Sequence, residues 1–185
     1  IQREHGRGTS VPRDWADKFL AGSVRVNGLE VEYNPADLLY LARSASLLDE
    51  SADGSLRFSH QLLQEYFAAV ALLRLGMNNP QVYEAARYYS WDEALVLLTG
   101  LMEDATPLVD LVMMVDPFLA ARCAERARSL SSSTYARLIE ALGRKLTSRF
   151  NRERIAAAES LGGTRSEIAI TYLVPMLKDA NLDVR

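Results

Sequence analysis

Residues 57–73, RFSHQLLQEYFAAVALL, decide the fold. The stretch opens with a short alternation of polar and apolar residues that ends at His60, and this alternation predicts a strand. An apolar helical segment follows, and its polar residues Gln61, Gln64 and Glu65 all lie near its start. A helix that is hydrophobic nearly all round packs on more than one side. We therefore predict that this helix forms the centre of the fold.

The residue types in this helix also predict which of its side chains are buried and which are exposed to solvent. Tyr66 and Phe67 fall among the other apolar positions, so we expect both rings in the core. Gln64 and Glu65 are expected to belong to a solvated first part of the helix, where a carboxylate favours the helix dipole. His60 stands where the strand gives way to the helix. Taken alone, a histidine at such a junction is more typical of a structural hydrogen bond than of a ligand contact.

Composition limits the classes of function. The chain has 185 residues with 49% hydrophobic content, which is ample for a packed core. A net charge of -3 gives no long-range attraction to nucleic acid or to anionic membranes. The single cysteine, Cys123, excludes an internal disulfide and is expected in the core, and with only two histidines the chain is poorly equipped for a zinc site. No apolar run approaches the roughly 20 residues that span a bilayer. We expect a cytoplasmic location.

The segment before the central helix contains turn and cap signals. A short helix is expected between Pro12 and Gly22, and a β-hairpin is expected around Asn27 and Gly28, where a tight turn needs positive φ. Asn34 followed by a proline predicts the start of a second helix. A second hairpin is expected to turn at Asp53-Gly54. Helix, hairpin and helix together form the skeleton of a winged-helix unit.

The segment after Gly76 predicts a succession of helices. Asn79 and Asp116 each precede a proline, which is a typical helix start. The three serines at 131–133 are expected to form a flexible joint, and residues 154–185 have a period compatible with an α-solenoid. The pattern stops in mid-repeat, so we expect a piece of a longer protein. The predicted domains are an upstream helical end, a winged-helix domain, a helical domain and truncated repeats, at residues 1–23, 24–75, 76–130 and 131–185.

Residues 57–69, RFSHQLLQEYFAA, resemble the F-x-H-x-x-x-Q-E-(Y/F)-(F/L)-A-A signature of the winged-helix domain that follows the NACHT ATPase module. NACHT proteins are STAND-class signalling NTPases, which include the NOD-like receptors and bacterial relatives. Residues 90–101 and 117–123 are similar to the helical region that follows in the bacterial proteins. Residues 156–185 resemble a HEAT repeat. The resemblance implies a mainly α fold, with a winged-helix unit, a helical bundle and HEAT-like α-solenoid repeats.

The resemblance also implies a site and partners. His60 stands where the family's winged-helix histidine contacts the β-phosphate of ADP, and ADP or ATP with magnesium would be the cofactors of the longer protein. The implied partners are the adjacent NACHT module and a protein or a second copy upon activation. The chain has no G-x-x-x-x-G-K-(S/T) loop. We therefore expect these residues to regulate an NTPase and to catalyse nothing themselves.

The sequence leaves two alternative functions open. The chain could be a stand-alone helical scaffold for protein partners, in which the winged-helix resemblance is only architectural. It could also be a DNA-binding winged helix, but the helix from Pro35 to Ala45 carries only Arg43 and Asp37 as charges, which disfavours binding to nucleic acid. Arginines near the start of the chain, with His5, are interpreted as a solvated face.

Overall fold

The computed structural model describes residues 10–164 and 166–185, and in strand residues 24–26 it describes the backbone alone. The fold is mainly helical with two small antiparallel hairpins, as the sequence predicts. The chain divides into two compact units, Ile1–Ala68 and Ala69–Arg185. The division falls inside the helix that the sequence places at the centre. Predictions about residues 1–9 lie outside the described residues.

The first unit combines helices with both hairpins. The last helix of the unit continues into the second unit. The elements are α1 (Arg13–Leu20), β1 (Gly22–Val26), β2 (Leu29–Tyr33), α2 (Pro35–Ser44), β3 (Leu48–Glu50), β4 (Leu56–Phe58) and α3 (Gln61–Leu75).

The regular secondary structure of the second unit, in its described residues, consists of helices alone. Short 3₁₀ segments at Tyr89–Trp91 and Val174–Lys178 precede α5 and follow α10. The helices are α4 (Pro80–Ala85), α5 (Asp92–Leu101), α6 (Thr106–Met113), α7 (Pro117–Arg126), α8 (Ser132–Lys145), α9 (Asn151–Gly163) and α10 (Glu167–Leu173).

Three of the turns and helix caps that the sequence predicts are confirmed. Asn27 and Gly28 have φ values of 50° and 83° between β1 and β2, as the tight turn requires. The side chain of Asn34 accepts a hydrogen bond from the Ala36 N–H at 3.0 Å and starts α2. Gly54, with φ of 78°, turns the second hairpin. These features are set by a few adjacent residues, so the sequence alone identifies them.

The first unit has a small core that joins its N-terminal segment to the second hairpin. Val11 and Leu56 exchange two backbone hydrogen bonds of 2.8 Å, so Val11 pairs with β4 as an isolated bridge. Both side chains are buried, together with Ala16 of α1 and Leu39 of α2. This core fixes β4 and therefore the start of α3.

The second unit is built on one hydrophobic core to which all of its α-helices contribute. The same core extends across the predicted boundary at residue 130, and it includes side chains that are at most 1% exposed. These include Leu95, Leu108, Leu138, Ile139, Leu142 and Leu161. The finer predictions of a winged helix and of HEAT-like repeats stay predictions.

The prediction of a flexible joint at residues 131–133 is wrong. Ser131 is the N-cap of α8, and its Oγ accepts a hydrogen bond from the Thr134 N–H at 3.1 Å. The Ser131 N–H itself donates to Oγ1 of Thr106 at 2.9 Å. Serine competes well for free amide groups at a helix start, so three serines in a row can begin a helix as readily as they can form a linker.

Gly143 allows close packing between α8 and α10, which gives a testable prediction. A Cβ at Gly143 would lie 2.5 Å from Cε1 of Tyr172, whereas a Cβ at Gly162 in α9 would meet nothing within 4 Å. We expect Gly143→Val to lower the free energy of unfolding by about 1–3 kcal/mol, because the core must shift to admit the side chain. Gly162→Ala should raise it by about 0.4–1 kcal/mol. Urea denaturation measures both changes, and equal effects of the two variants would contradict the assigned packing.

Candidate functional site

The predicted site residue, His60, lies in the two-residue connection between β4 and α3. Its neighbour Ser59 holds this connection against the segment that follows α2. The Ser59 N–H donates to the Leu47 carbonyl at 3.1 Å, and the Ser59 hydroxyl donates to the Ser46 carbonyl at 2.6 Å. The His60 carbonyl then accepts the Leu63 N–H at 3.0 Å, which begins the helix. The backbone that carries His60 is therefore held on both sides.

The side chain of His60 is exposed at the surface of the first unit. A neutral imidazole offers one donor and one acceptor, and a protonated imidazole offers two donors. An exposed imidazole on a fixed backbone can therefore hydrogen-bond an anionic group of a partner. The role of His60 towards a nucleotide stays a prediction.

The expected solvation of Gln64 and Glu65 is wrong, because both are only 3% exposed. Gln61 contributes to this environment, since its Nε2 donates to Oε1 of Glu65 at 2.7 Å, one helical turn away. A carboxylate that loses water needs hydrogen-bond donors in compensation, and the amide of Gln61 is one such donor. Gln64 and Glu65 are therefore part of the buried surface of α3.

The expected burial of Tyr66 and Phe67 is also wrong, because they are 42% and 43% exposed. The two rings meet edge to face with centroids 5.6 Å apart. Phe67 also stacks on Phe58 of β4 at 5.8 Å. Phe58, Tyr66 and Phe67 form an aromatic cluster that is partly open to solvent. Aromatic pairs in these arrangements stabilise each other beyond the area they bury.

The aromatic cluster and His60 belong to the same strand-helix segment. From the sequence, only His60 was predicted to be a site residue, and the rings of Tyr66 and Phe67 were expected in the core. The sequence feature that could have indicated exposed aromatic residues is that α3 is apolar on nearly every side. Such a helix has more apolar surface than a small unit can cover, so some of its aromatic residues must lie outside. Periodicity gives no means of choosing which residues these are.

The turn of the second hairpin is stabilised by its own side chains. Oδ1 of Asp53 accepts hydrogen bonds from the hydroxyl and the N–H of Ser55, at 2.8 Å and 3.1 Å. These bonds hold the pKa of Asp53 below its ordinary value, the hydroxyl making the larger contribution. The turn that the sequence predicts at Asp53-Gly54 is thus a defined structure.

A shallow depression of about 470 Å³ lies between α2 and β3, and His60 is not among its lining residues. Glu50 accepts hydrogen bonds there from Arg43 and, at 3.3 Å, from Arg13. The charges around the depression therefore largely neutralise each other, which leaves no clear preference for an anion or a cation. The lining residues are Tyr40, Arg43, Ser44, Leu48, Asp49 and Glu50.

The second unit contains the only cysteine of the chain, and its expected burial is confirmed. Cys123 of α7 is 0% exposed within the core. Burial raises the pKa of its thiol to about 12, a shift that the neighbouring Arg122 partly opposes. Thiolate chemistry is therefore suppressed at neutral pH, because the thiolate is the reactive form.

Within residues 10–164 and 166–185, no group of three or more His, Cys, Asp or Glu side chains is arranged to hold a metal ion. None of the helices in the described part of the chain is long and apolar enough to cross a membrane. In comparisons with protein-family models, curated proteins and solved structures, no match to this chain was found.

Proposed function

We propose that the chain is a regulatory part of a NACHT-type signalling NTPase. In this proposal the first unit is a winged-helix domain that couples the nucleotide state of an adjacent NACHT module to a conformational change. The second unit, with HEAT-like repeats, presents a surface that senses a signal or binds a protein partner. ADP or ATP with magnesium belongs to the NACHT module of a cytoplasmic parent protein, which carries the ATPase activity. No catalytic role is assigned to the residues of this chain.

One observation carries the proposal. The side chain of His60 is exposed, and its backbone is anchored by hydrogen bonds at the strand-helix junction where the family motif has its histidine. Ser59 anchors the junction, and the aromatic cluster packs β4 against α3. An imidazole in this position can donate a hydrogen bond to a diphosphate and lose it when two domains rotate apart. Exposure is what a contact with a separate module requires.

The test is His60→Ala in the full-length protein. A hydrogen bond to a charged group contributes about 1.5–3 kcal/mol, so we expect the affinity for ADP to fall roughly 10- to 100-fold. Copurified ADP is measured by chromatography after denaturation, and the assembly state is measured by light scattering. The variant should retain less ADP and form the activated oligomer without a trigger.

The matched control is His5→Ala, which removes the other histidine of the chain. The 185-residue chain carrying His60→Ala should keep its stability to within about 0.5 kcal/mol, because the residue is exposed. Unchanged ADP retention together with unchanged assembly would refute the role of His60.

A helical scaffold without nucleotide control is the second candidate, and a specific observation favours it. The second unit exposes large aliphatic side chains near its C-terminal end, including Ile170, Val174 and Leu177. Such side chains commonly mark surfaces that bind other proteins. A full-length protein that neither copurifies with nucleotide nor binds it would favour the scaffold over the NTPase.

DNA binding is the weakest of the three functions. Helix α2 exposes Tyr40 and Leu41, at 70% and 60%, where a DNA-reading helix would present polar and basic side chains. Arg43 on the same helix is engaged with Glu50. The chain should therefore produce no mobility shift with duplex DNA at low salt, and a salt-dependent shift would reverse this ranking.

A further inference from the structure

The connection between α8 and α9 breaks two rules that normally stabilise the start of a helix. Phe150 is the N-cap of α9 and has the extended backbone of a capping residue, but its side chain makes no capping hydrogen bond. Serine, threonine, asparagine or aspartate at this position would accept a free N–H of the first turn. Phe150 is not buried in compensation, since it is 54% exposed. The sequence thus places an exposed aromatic side chain where a helix cap would stabilise the fold.

The charges beside Phe150 break the second rule. Arg149 precedes the cap and Arg152 lies in the first turn of α9, where the helix dipole disfavours cations. Both arginines are exposed, and neither forms an ion pair with an acidic residue in the part of the chain that the structure describes. Proteins mostly satisfy such local rules, and the places where they break them are typically functional.

The connection is anchored to the rest of the second unit. The Phe150 N–H donates to Oγ of Ser148 at 3.2 Å, and the Ser148 carbonyl accepts Nη1 of Arg154 at 3.0 Å. Arg154 is itself fixed by hydrogen bonds of 2.8 Å and 2.9 Å to Asp179. The guanidinium carbon of Arg149 lies 4.6 Å from the centroid of the Phe150 ring. The ring and its cation are therefore arranged before any partner binds, which lowers the entropic cost of binding.

The other basic side chains that immediately precede the connection are paired with carboxylates. Arg144 pairs with Glu140 at 2.8 Å, and Lys145 pairs with Glu153 at 3.7 Å. The two arginines that flank Phe150 in the chain therefore leave a small positive surface on a protein whose net charge is -3. Such a surface offers too few contacts to follow the phosphates of a nucleic acid. It fits a short protein segment in which carboxylates flank an apolar side chain.

We propose that the connection at residues 148–152, here called the Phe150 turn, binds an acidic segment of a protein partner. Arg149 and Arg152 engage carboxylates of the segment, and the ring of Phe150 packs against an apolar side chain between them. Arginine and aromatic side chains are enriched among the residues that dominate protein interfaces. The surface is small, so we expect a Kd of about 10–100 µM. The inference is independent of the proposed nucleotide control.

The first test is fluorescence anisotropy of a labelled probe peptide titrated with the 185-residue chain. The probe is blocked at both ends and has glutamates on both sides of a leucine. Its Kd should rise at least about threefold between low salt and about 0.5 M salt, because salt screens exposed charges. The same peptide with glutamine in place of glutamate should not bind. An acidic probe that stays unbound at about 1 mM chain overturns the proposal.

Arg152→Glu should raise the Kd for the probe at least about tenfold, because it reverses one of the charges that meet the carboxylates. Arg128→Glu is the matched control. Arg128 is also exposed and forms no ion pair within the described residues, but it lies in the connection at the opposite end of α8. Equal weakening by the two variants would mean that the probe responds only to net charge, which overturns the assigned surface. Circular dichroism checks that both variants keep the fold.

The missing cap provides a second test with two readouts. Phe150→Ser supplies a capping hydroxyl at the start of α9, so the urea midpoint of unfolding should rise. The same variant removes the ring, so the Kd for the probe should rise at least about tenfold. A variant that binds the probe as tightly as the parent chain overturns the proposal. A lower urea midpoint also overturns it, because Phe150 would then support the fold.

A labelled oligothymidylate tests the alternative partner, a nucleic acid. We expect it to bind more weakly than the acidic peptide, because the Phe150 turn offers few phosphate contacts. Tighter binding of the oligonucleotide, weakened by Arg152→Glu, would overturn the proposal and assign the turn to a nucleic acid.

Discussion

Leu138→Ala is expected to lower the free energy of unfolding by about 2–5 kcal/mol. Leu138 lies in the middle of α8 and is 0% exposed within the core of the second unit. Truncation removes the transfer free energy of the side chain and leaves a cavity that surrounding helices fill only in part. Urea denaturation followed by circular dichroism measures the effect as a lower midpoint with an unchanged slope.

The control for this prediction is Leu182→Ala. Leu182 is 77% exposed, so the same chemical change should alter stability by less than about 0.5 kcal/mol. A Leu138→Ala variant as stable as the Leu182→Ala variant would contradict the position of α8 in the core.

The second large effect concerns the stability of the chain at alkaline pH. The pKa of the Cys123 thiol is raised from an ordinary 9.0 to about 12 by burial in the folded state. The folded chain therefore keeps the proton where the unfolded chain loses it. The stability contributed by the neutral thiol is fully present below about pH 9 and declines by about 1.4 kcal/mol per pH unit up to about pH 12.

The measurement compares the parent chain with Cys123→Ala by urea denaturation from about pH 8 to about pH 11, where the two slopes should diverge. Other groups titrate in both proteins alike, so the difference between the slopes reports Cys123 alone. Parallel pH profiles would contradict the burial of the thiol. The native thiol should also react with a disulfide reagent far more slowly than the thiol of the urea-unfolded chain.

Features governed by a few neighbouring residues could be predicted from the sequence. The turn at Asn27 and Gly28 follows from the backbone angles that these residues accept, and the cap at Asn34 follows from its side-chain oxygen. The side chain of Asp116 caps α7 in the same way, by accepting the N–H groups of Phe118 and Leu119. The mainly helical class of the fold follows from the sum of such signals.

The faces of α3 could not be predicted by the same means. Gln64 and Glu65 are buried while Tyr66 and Phe67 are half-exposed, the reverse of what hydrophobicity indicates. A helix that is apolar on most sides has no periodic minimum to point outwards. The stacking of Phe58 of β4 on Phe67 is one of the tertiary contacts that fix its orientation.

By itself, the sequence determined the turn at Asn27 and Gly28, the helix starts at Asn34 and Asp116, and which histidine follows the strand before α3. Those properties depend on side chains and backbone within about one helical turn. Only the tertiary structure decided that Ser131 caps a helix, that Tyr172 packs on Gly143, and that His60 stands exposed on an anchored junction. Each of these depends on which distant segments meet, and packing selects that arrangement from many that local preferences allow equally.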